Sequence, residues 1–308
     1  MFRNVIISVT VVIFLIIALG FTWLSLMRSS QENAIRDVQL FQQITRPNVN
    51  QSGVQNIGNS LFEGVLYFNQ YKEIEGIPVN WGDHVVTYSL FGGVSRLTGD
   101  HSPIQLLDPS DGQMRYYDRE TKQRIMEFYH PEVEYRNIRN DLEQLEQMTG
   151  EKYIEMAISF DQSYTAEQVR TFLPENVSLK WLWADTYTDV ESLREINTVD
   201  GDGEEYVVPA FPELADRIYG FSERPDGQSK GEEWFVQAIE QGIQVNDGKY
   251  YREFERIYQY LRGDSQSIDT TSVKVLGAVV TGTSEQLEVL KEMEQVRSSV
   301  FGVMAERF

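Results

Sequence analysis

Between residues 5 and 27 the chain runs 23 positions without a charge, and this stretch limits what the rest can be. An α-helix of that length rises roughly 34 Å at about 1.5 Å per residue, enough to cross a hydrocarbon core of about 30 Å. The stretch is read as a membrane-spanning helix. A cleaved secretory signal is the competing reading, with Arg3 as a small positive start and Ala18-Leu19-Gly20 as a faint cleavage site. The apolar run continues past that site through Phe21, Trp23, Leu24, Leu26 and Met27, which suits an uncleaved anchor better than the start of a soluble chain. Arg3 precedes the run and Arg28 follows it, so the positive-inside bias is slight. It favours a short cytoplasmic end, residues 1–4, with the large C-terminal part outside.

The rest of the chain has room for one large or two ordinary domains. The whole chain holds 47 acidic against 27 basic residues, a formal charge of −20, which argues against nucleic-acid binding because phosphates would be repelled. With no cysteine there is no disulfide framework, thiolate metal site or cysteine nucleophile. An extracytoplasmic chain that avoids cysteine suits a bacterial envelope.

Residues 28–58 are polar around Pro47-Asn48-Val49-Asn50, with one short amphipathic piece (Ala34, Val38, Leu40, Phe41), and are read as a stalk. Residues 59–149 carry aromatic and β-branched runs at 61–71, 85–90 and 125–129, divided by turns such as Asp108-Pro109-Ser110-Asp111-Gly112. They are expected to form a strand-rich, membrane-proximal region, ending in a short helical pattern over 141–148 closed by Gly150.

Residues 150–308 are the most legible. Ile154, Met156, Ile158 and Phe160 alternate as one face of a strand. Thr165-Ala166-Glu167-Gln168 fits a capping box, in which the threonine hydroxyl and glutamine side chain satisfy free amides at a helix start, and Pro174 stops that helix. Leu179, Trp181 and Trp183 then alternate as the next strand. The design recurs with a strand over 273–280, a capping box at Thr283-Ser284-Glu285-Gln286, a helix stripe of Leu287, Leu290 and Met293, and a strand over 296–304. The expected fold class is α+β, a transmembrane helix followed by a C-terminal domain of two β-α-β halves in a ferredoxin-like layout. That domain is expected to fold alone, with at least one of Trp181 and Trp183 buried against its helices. Helices are expected over 232–239 and 250–261, where Tyr250, Phe254, Ile257, Tyr258 and Leu261 repeat at core spacing.

Ile158-Ser159-Phe160-Asp161-Gln162-Ser163-Tyr164-Thr165-Ala166-Glu167-Gln168-Val169, Leu173-Pro174-Glu175-Asn176-Val177 and Trp181-Leu182-Trp183 resemble the extracytoplasmic C-terminal domain of membrane-bound sigma-factor regulators of Gram-positive bacteria. Gly277-Ala278-Val279-Val280-Thr281-Gly282-Thr283-Ser284-Glu285-Gln286-Leu287 resembles that domain's closing strand-turn-helix. The resemblance implies an anti-sigma factor, which holds an extracytoplasmic-function sigma factor from RNA polymerase until an envelope signal arrives. Met1-Phe2-Arg3-Asn4 are too short for an interface of about 800 Å² per partner. An upstream segment or a membrane partner protein is therefore expected to make the sigma contact.

No catalytic, cofactor-binding or metal-ligating residue is assigned. In Gly93-Val94-Ser95-Arg96-Leu97, Leu97 replaces the second glycine of a nucleophile elbow. In residues 242–249 five residues separate the glycines, one more than in a phosphate loop, and Tyr250 stands where a hydroxyl ligand of Mg²⁺ belongs. His84, His101 and His130 lack metal-ligand spacing, and the acidic loop Asp200-Gly201-Asp202-Gly203-Glu204-Glu205 lacks the EF-hand order. Two function classes stay open: a non-catalytic anchored regulator, or an anchored envelope hydrolase or ligand-binding protein. A cleft of converging carboxylates with shifted pKa favours the second, and a flat aromatic surface the first.

Overall fold

A computed structural model describes residues 2–96, 102–109, 111–147, 152–201, 203–223 and 230–306; His101, Gly150 and Asp202 lie outside the described residues. The chain opens with one long helix, α1 (Phe2–Gln43), apolar enough in its first half to cross a membrane. The first proline is Pro47, so nothing in the sequence breaks the helix where the charges begin. Residues 28–58, expected to be a stalk, are instead helix to Gln43 and then strand β1 (Val49–Asn59). Met27, Ala34 and Val38 form a narrow apolar stripe, obscured by polar neighbours, that is buried against the first sheet.

That sheet is an antiparallel meander of β1, β2 (Glu63–Ile74), β3 (Ile77–Ser89) and β4 (Val94–Arg96), in that order. β2 alternates strictly, turning Leu66 and Phe68 inward to Met27, Ala34 and Val38. A small hairpin of β5 (Ile104–Leu107) and β6 (Met114–Tyr117) follows, then the short strand β7 (Glu127–Phe128) and a 3-10 turn, Asp141–Gln147.

The remaining elements are β8 (Lys152–Thr165), α2 (Ala166–Phe172), β9 (Ser178–Ala184), the hairpin β10 (Ile196–Val199) and β11 (Glu205–Val208), β12 (Glu213–Leu214), β13 (Gly220–Ser222), α3 (Gly231–Gln244), α4 (Tyr251–Arg262), β14 (Lys274–Thr283), α5 (Ser284–Glu288) and β15 (Val296–Glu306). Five of these strands form one sheet, ordered β13-β9-β14-β8-β15, every neighbour antiparallel. Each expected β-α-β unit holds a strand of the other between its own two: β14 separates β8 from β9, and β8 separates β14 from β15. Both capping boxes are formed. Thr165 Oγ1 accepts the Gln168 amide at 3.3 Å while Gln168 Oε1 accepts the Thr165 amide at 2.8 Å, and Thr283 with Gln286 repeats the pair at 3.2 and 2.8 Å. The fold is mixed α+β with one long apolar N-terminal helix.

The large sheet is buried on both faces. Ile154, Met156, Ile158 and Phe160 face the helices, in a core that also takes Leu40 and Ile44 from α1 and its continuation. Trp181 and Trp183 are buried too, but on the opposite face, under Met126, Phe128 and Tyr129. This corrects the expectation that an indole packs against the helices: Leu182, between them, takes the helix side, and strand alternation sends both indoles the other way. It also shows that the core of the C-terminal domain reaches back across residue 150 to the segment that supplies this cover.

A buried ion pair fastens the first sheet to the second. Lys72 Nζ on β2 lies 2.8 Å from Glu155 Oε2 on β8, both side chains nearly inaccessible. Glu155 also accepts hydrogen bonds from Asn48 Nδ2 at 2.8 Å and the Val303 amide at 3.1 Å, so its buried oxygens are satisfied. Trp81 lies 4.0 Å from Lys72 Nζ through its ring centroid. Burial pulls the Lys72 pKa down and Glu155 opposes the shift.

Candidate functional site, a cleft at the far end of the long helix

The residues after Gln43 turn the chain sharply where three parts of the molecule meet. Ile44 accepts the Gly220 amide at 2.9 Å, Thr45 bridges to Tyr219, and the backbone bends through Arg46 and Asn48 at φ 63° and 54°. Just before the turn, Phe41 stacks on Tyr250, ring centroids 3.9 Å apart and planes 4° apart, and meets Phe254 edge-on at 6.0 Å. Asp37 accepts the Lys249 amide at 2.9 Å. The end of α1 is therefore held by Tyr250 and the Lys249 backbone of the α3–α4 connection and by Phe254 of α4.

Beside this junction opens a cleft of about 310 Å³, near the lower end of small-ligand sites. It is lined by Phe41, Arg46 and Tyr250, by Arg96 and Lys249, by Trp81, Asp83 and His84 of β3, and by Asp118 to Glu120 after β6. Burial draws the Arg46 guanidinium down to about 10; Tyr250 and Asp216 oppose that shift and Arg96 adds to it. Burial, then Arg96, also lowers the Lys249 ammonium, and burial raises the Tyr250 phenol. Three cations thus gather beside an aromatic stack in a chain whose formal charge is −20. Asp83, also in the lining, accepts from Asn69 Nδ2 at 3.0 Å, and its hydrogen bond with Tyr67 pushes that phenol up to about 12. A cleft that carries both signs, with Asp216 acting on Arg46 and Arg119 lying between Asp118 and Glu120, can seat a small charged solute.

The motifs weighed from sequence scatter. His84 lines the cleft, whereas His130 is buried near Trp183 and Tyr187, its Nδ1 accepting the Glu132 amide at 3.2 Å. Ser95 lies on β4 opposite Thr87, in a strand rather than a strand-to-helix elbow. Residues 242–249 close α3 and lead into α4; a Cβ at Gly242 would enter the Phe254 ring, so close packing explains that glycine. The acidic loop is the turn of the β10–β11 hairpin, where Asp200 accepts the Glu204 amide at 2.8 Å. Among the described residues no group of three or more His, Asp or Glu is placed to hold a metal.

The sequence reading missed the cleft. Its lining comes from segments spread over residues 38–250, and Arg46, Arg96 and Lys249 carry no local signal. The only hint was aromatic: Phe41 and Tyr250 each lie on a recognisable apolar stripe.

A family model described as sigma factor regulator C-terminal matches residues 145–303, just over half of the chain, from the 3-10 turn into β15. The matched span contains both capping boxes and all of the large sheet but the end of β15. No curated protein and no solved structure gives a significant match.

Proposed function

Because the chain belongs to the sigma factor regulator C-terminal family, we propose that it is a membrane-anchored, non-catalytic regulator of the anti-sigma type. Its outer part binds an envelope signal or partner and passes the change through α1 to an extracytoplasmic-function sigma factor. The sigma factor is reached through a cytoplasmic segment ahead of the apolar run or through a membrane partner protein. Residues 28–308 lie outside the cell membrane in this reading, and a Gram-positive envelope is the setting. The interleaved order of β8, β9, β14 and β15 supports a ferredoxin-like layout for the family domain.

The observation that carries the reading is continuity. α1 runs unbroken from the apolar segment to Gln43, and its far end is packed into the family domain's core beside the cleft. A ligand acts only by binding two states with different affinity. A cleft whose lining includes Phe41 and Arg46 can distinguish positions of the helix end. The same cleft favours a second reading, an anchored ligand-binding protein that never touches a sigma factor.

Deleting the gene together with any membrane partner is expected to raise transcription from an envelope-stress sigma regulon. Unchanged transcription supports the ligand-binding reading. Protease added to intact protoplasts is expected to digest the outer part; protection until the membrane is opened would reverse the topology.

A further inference from the structure

Two hydrogen bonds fix how high the first sheet stands along α1. Trp23, inside the uncharged run, donates its indole N–H to the Leu61 carbonyl at 2.6 Å, and the Ser30 hydroxyl donates to the Ser89 carbonyl. Leu61 belongs to the turn between β1 and β2, and Ser89 ends β3 where the next turn begins. The Leu90 amide donates to the Phe62 carbonyl at 2.7 Å, joining the two turns. Trp23 lies about 6 Å along the helix from Met27, where the uncharged run ends. Both turns therefore hang beside the last part of the membrane-crossing segment.

Their side chains are large, apolar and exposed. Leu61 is 69 % exposed, Phe62 58 % and Phe91 87 %. Residues 47–62 and 85–95 contain no Asp, Glu, Lys or Arg, although 24 % of the chain is charged. Water-facing surface seldom gathers large apolar side chains in this way. The turn backbones are also largely self-satisfied: Ser60 N–H donates to Glu63 at 2.7 Å and Gly92 N–H to Ser89 at 3.1 Å, as a low-dielectric setting requires. Trp23 beside them is the residue type that membrane–water interfaces favour.

We propose that the β1–β2 and β3–β4 turns are a second membrane contact, with Leu61, Phe62 and Phe91 entering the leaflet on the Arg28 side, beside Trp23. The occupant is the lipid bilayer, because the turns adjoin the segment that α1 places in it. The outer part is thus seated on the lipid surface as well as tethered to it. The proposal rests on α1 crossing the bilayer, and the test separates the two.

The cysteine-free chain allows single labels. Full-length Leu61→Cys, Phe91→Cys, Phe14→Cys and Asp264→Cys are each coupled to nitrobenzoxadiazole and placed in phosphatidylcholine–phosphatidylglycerol vesicles. The lipids are brominated either near the headgroup or near the chain end. Positions 61 and 91 are expected to emit at shorter wavelength and to be quenched more by the shallow bromines, position 14 more by the deep ones, and position 264 by neither. In a Phe62→Ser background the shallow quenching at 61 and 91 is expected to weaken, with near-UV circular dichroism unchanged. Quenching at 14 without quenching at 61 and 91 overturns the proposal and leaves the anchor standing. Absence of quenching at 14 removes the anchor, and the proposal with it. A blue shift at 61 and 91 without lipid quenching means that protein, such as a second copy, covers the turns, which also overturns it.

Discussion

The two large sheets of this molecule solve the same burial problem differently. The first rests one face on α1 and, toward the β2–β3 turn, on β15, and β2 alternates inward and outward along nearly its whole length. The sheet of the family domain is covered on both faces, and residues 154–160 of β8 are buried without interruption. By sequence the strands look alike, since Ile154, Met156, Ile158 and Phe160 alternate with Glu155, Ala157 and Ser159. The difference lies in partners supplied from elsewhere: Lys72 reaches Glu155, and Ser159 Oγ accepts the Tyr129 amide at 2.9 Å. Polar alternation marks a solvent face only where no other segment arrives to satisfy it.

The strongest way to break this comparison is to remove the second cover. A fragment beginning at residue 150 loses Met126, Phe128 and Tyr129 and bares Trp181 and Trp183. It is expected to lack fixed near-UV circular dichroism, whereas one beginning at residue 120 retains it. In the full chain, Trp183→Ala is expected to cost about 3–5 kcal/mol. A cooperative melt of the 150 fragment, equal to that of the longer one, would show that the far face needs no cover.

The tie between the sheets comes next. Lys72→Met leaves the Glu155 carboxylate buried without its cation, and a cost of about 3–5 kcal/mol is expected in chemical denaturation. Adding Glu155→Met is expected to recover much of that loss. If the single variant unfolds at the wild-type denaturant concentration, the sheets are held by packing alone.

A smaller effect is pH-dependent. Burial raises the Glu127 carboxyl from 4.5 to about 7, with Arg139 opposing the shift. The native state then keeps a proton that the unfolded chain releases, so stability falls as pH rises from about 4.5 to 7. At about 1.4 kcal/mol per unit, roughly 3 kcal/mol is at stake. Glu127→Gln is expected to flatten that slope, and parallel pH profiles of melting temperature would disprove it. Smallest is the cap. Thr165→Ala is expected to cost about 1 kcal/mol and to act on α2 alone, as hydrogen exchange at the Gln168 amide would report.

What was legible follows the range of the interactions. Thr165 with Gln168 and Thr283 with Gln286 act across three residues, and both boxes form as read. The stripe of Phe254 and Ile257 is buried as expected on α4. Lys72 and Glu155 are 83 residues apart, and nothing near either one shows the other. The stalk reading failed for a related reason: Ala34, Val38 and Leu40 look sparse until the sheet and core that cover them are in place. The cleft is built from distant segments, and Arg46, Arg96 and Lys249 carry no local signature.

The place of β8 between β14 and β15 has a consequence for synthesis. The earliest helix to be made ends in a core that also contains Phe301, on the last strand described. Leu40 and Ile44 must wait for almost the whole chain before their packing is complete, and so must Asp141, whose carboxylate accepts the Phe301 amide at 2.8 Å. Contacts of such long sequence separation form slowly and leave apolar surface uncovered meanwhile. In the proposed topology the anchor is in place well before the body it carries, so a chain halted before residue 296 is expected to leave that core open and the β15-facing edge of β8 unpaired.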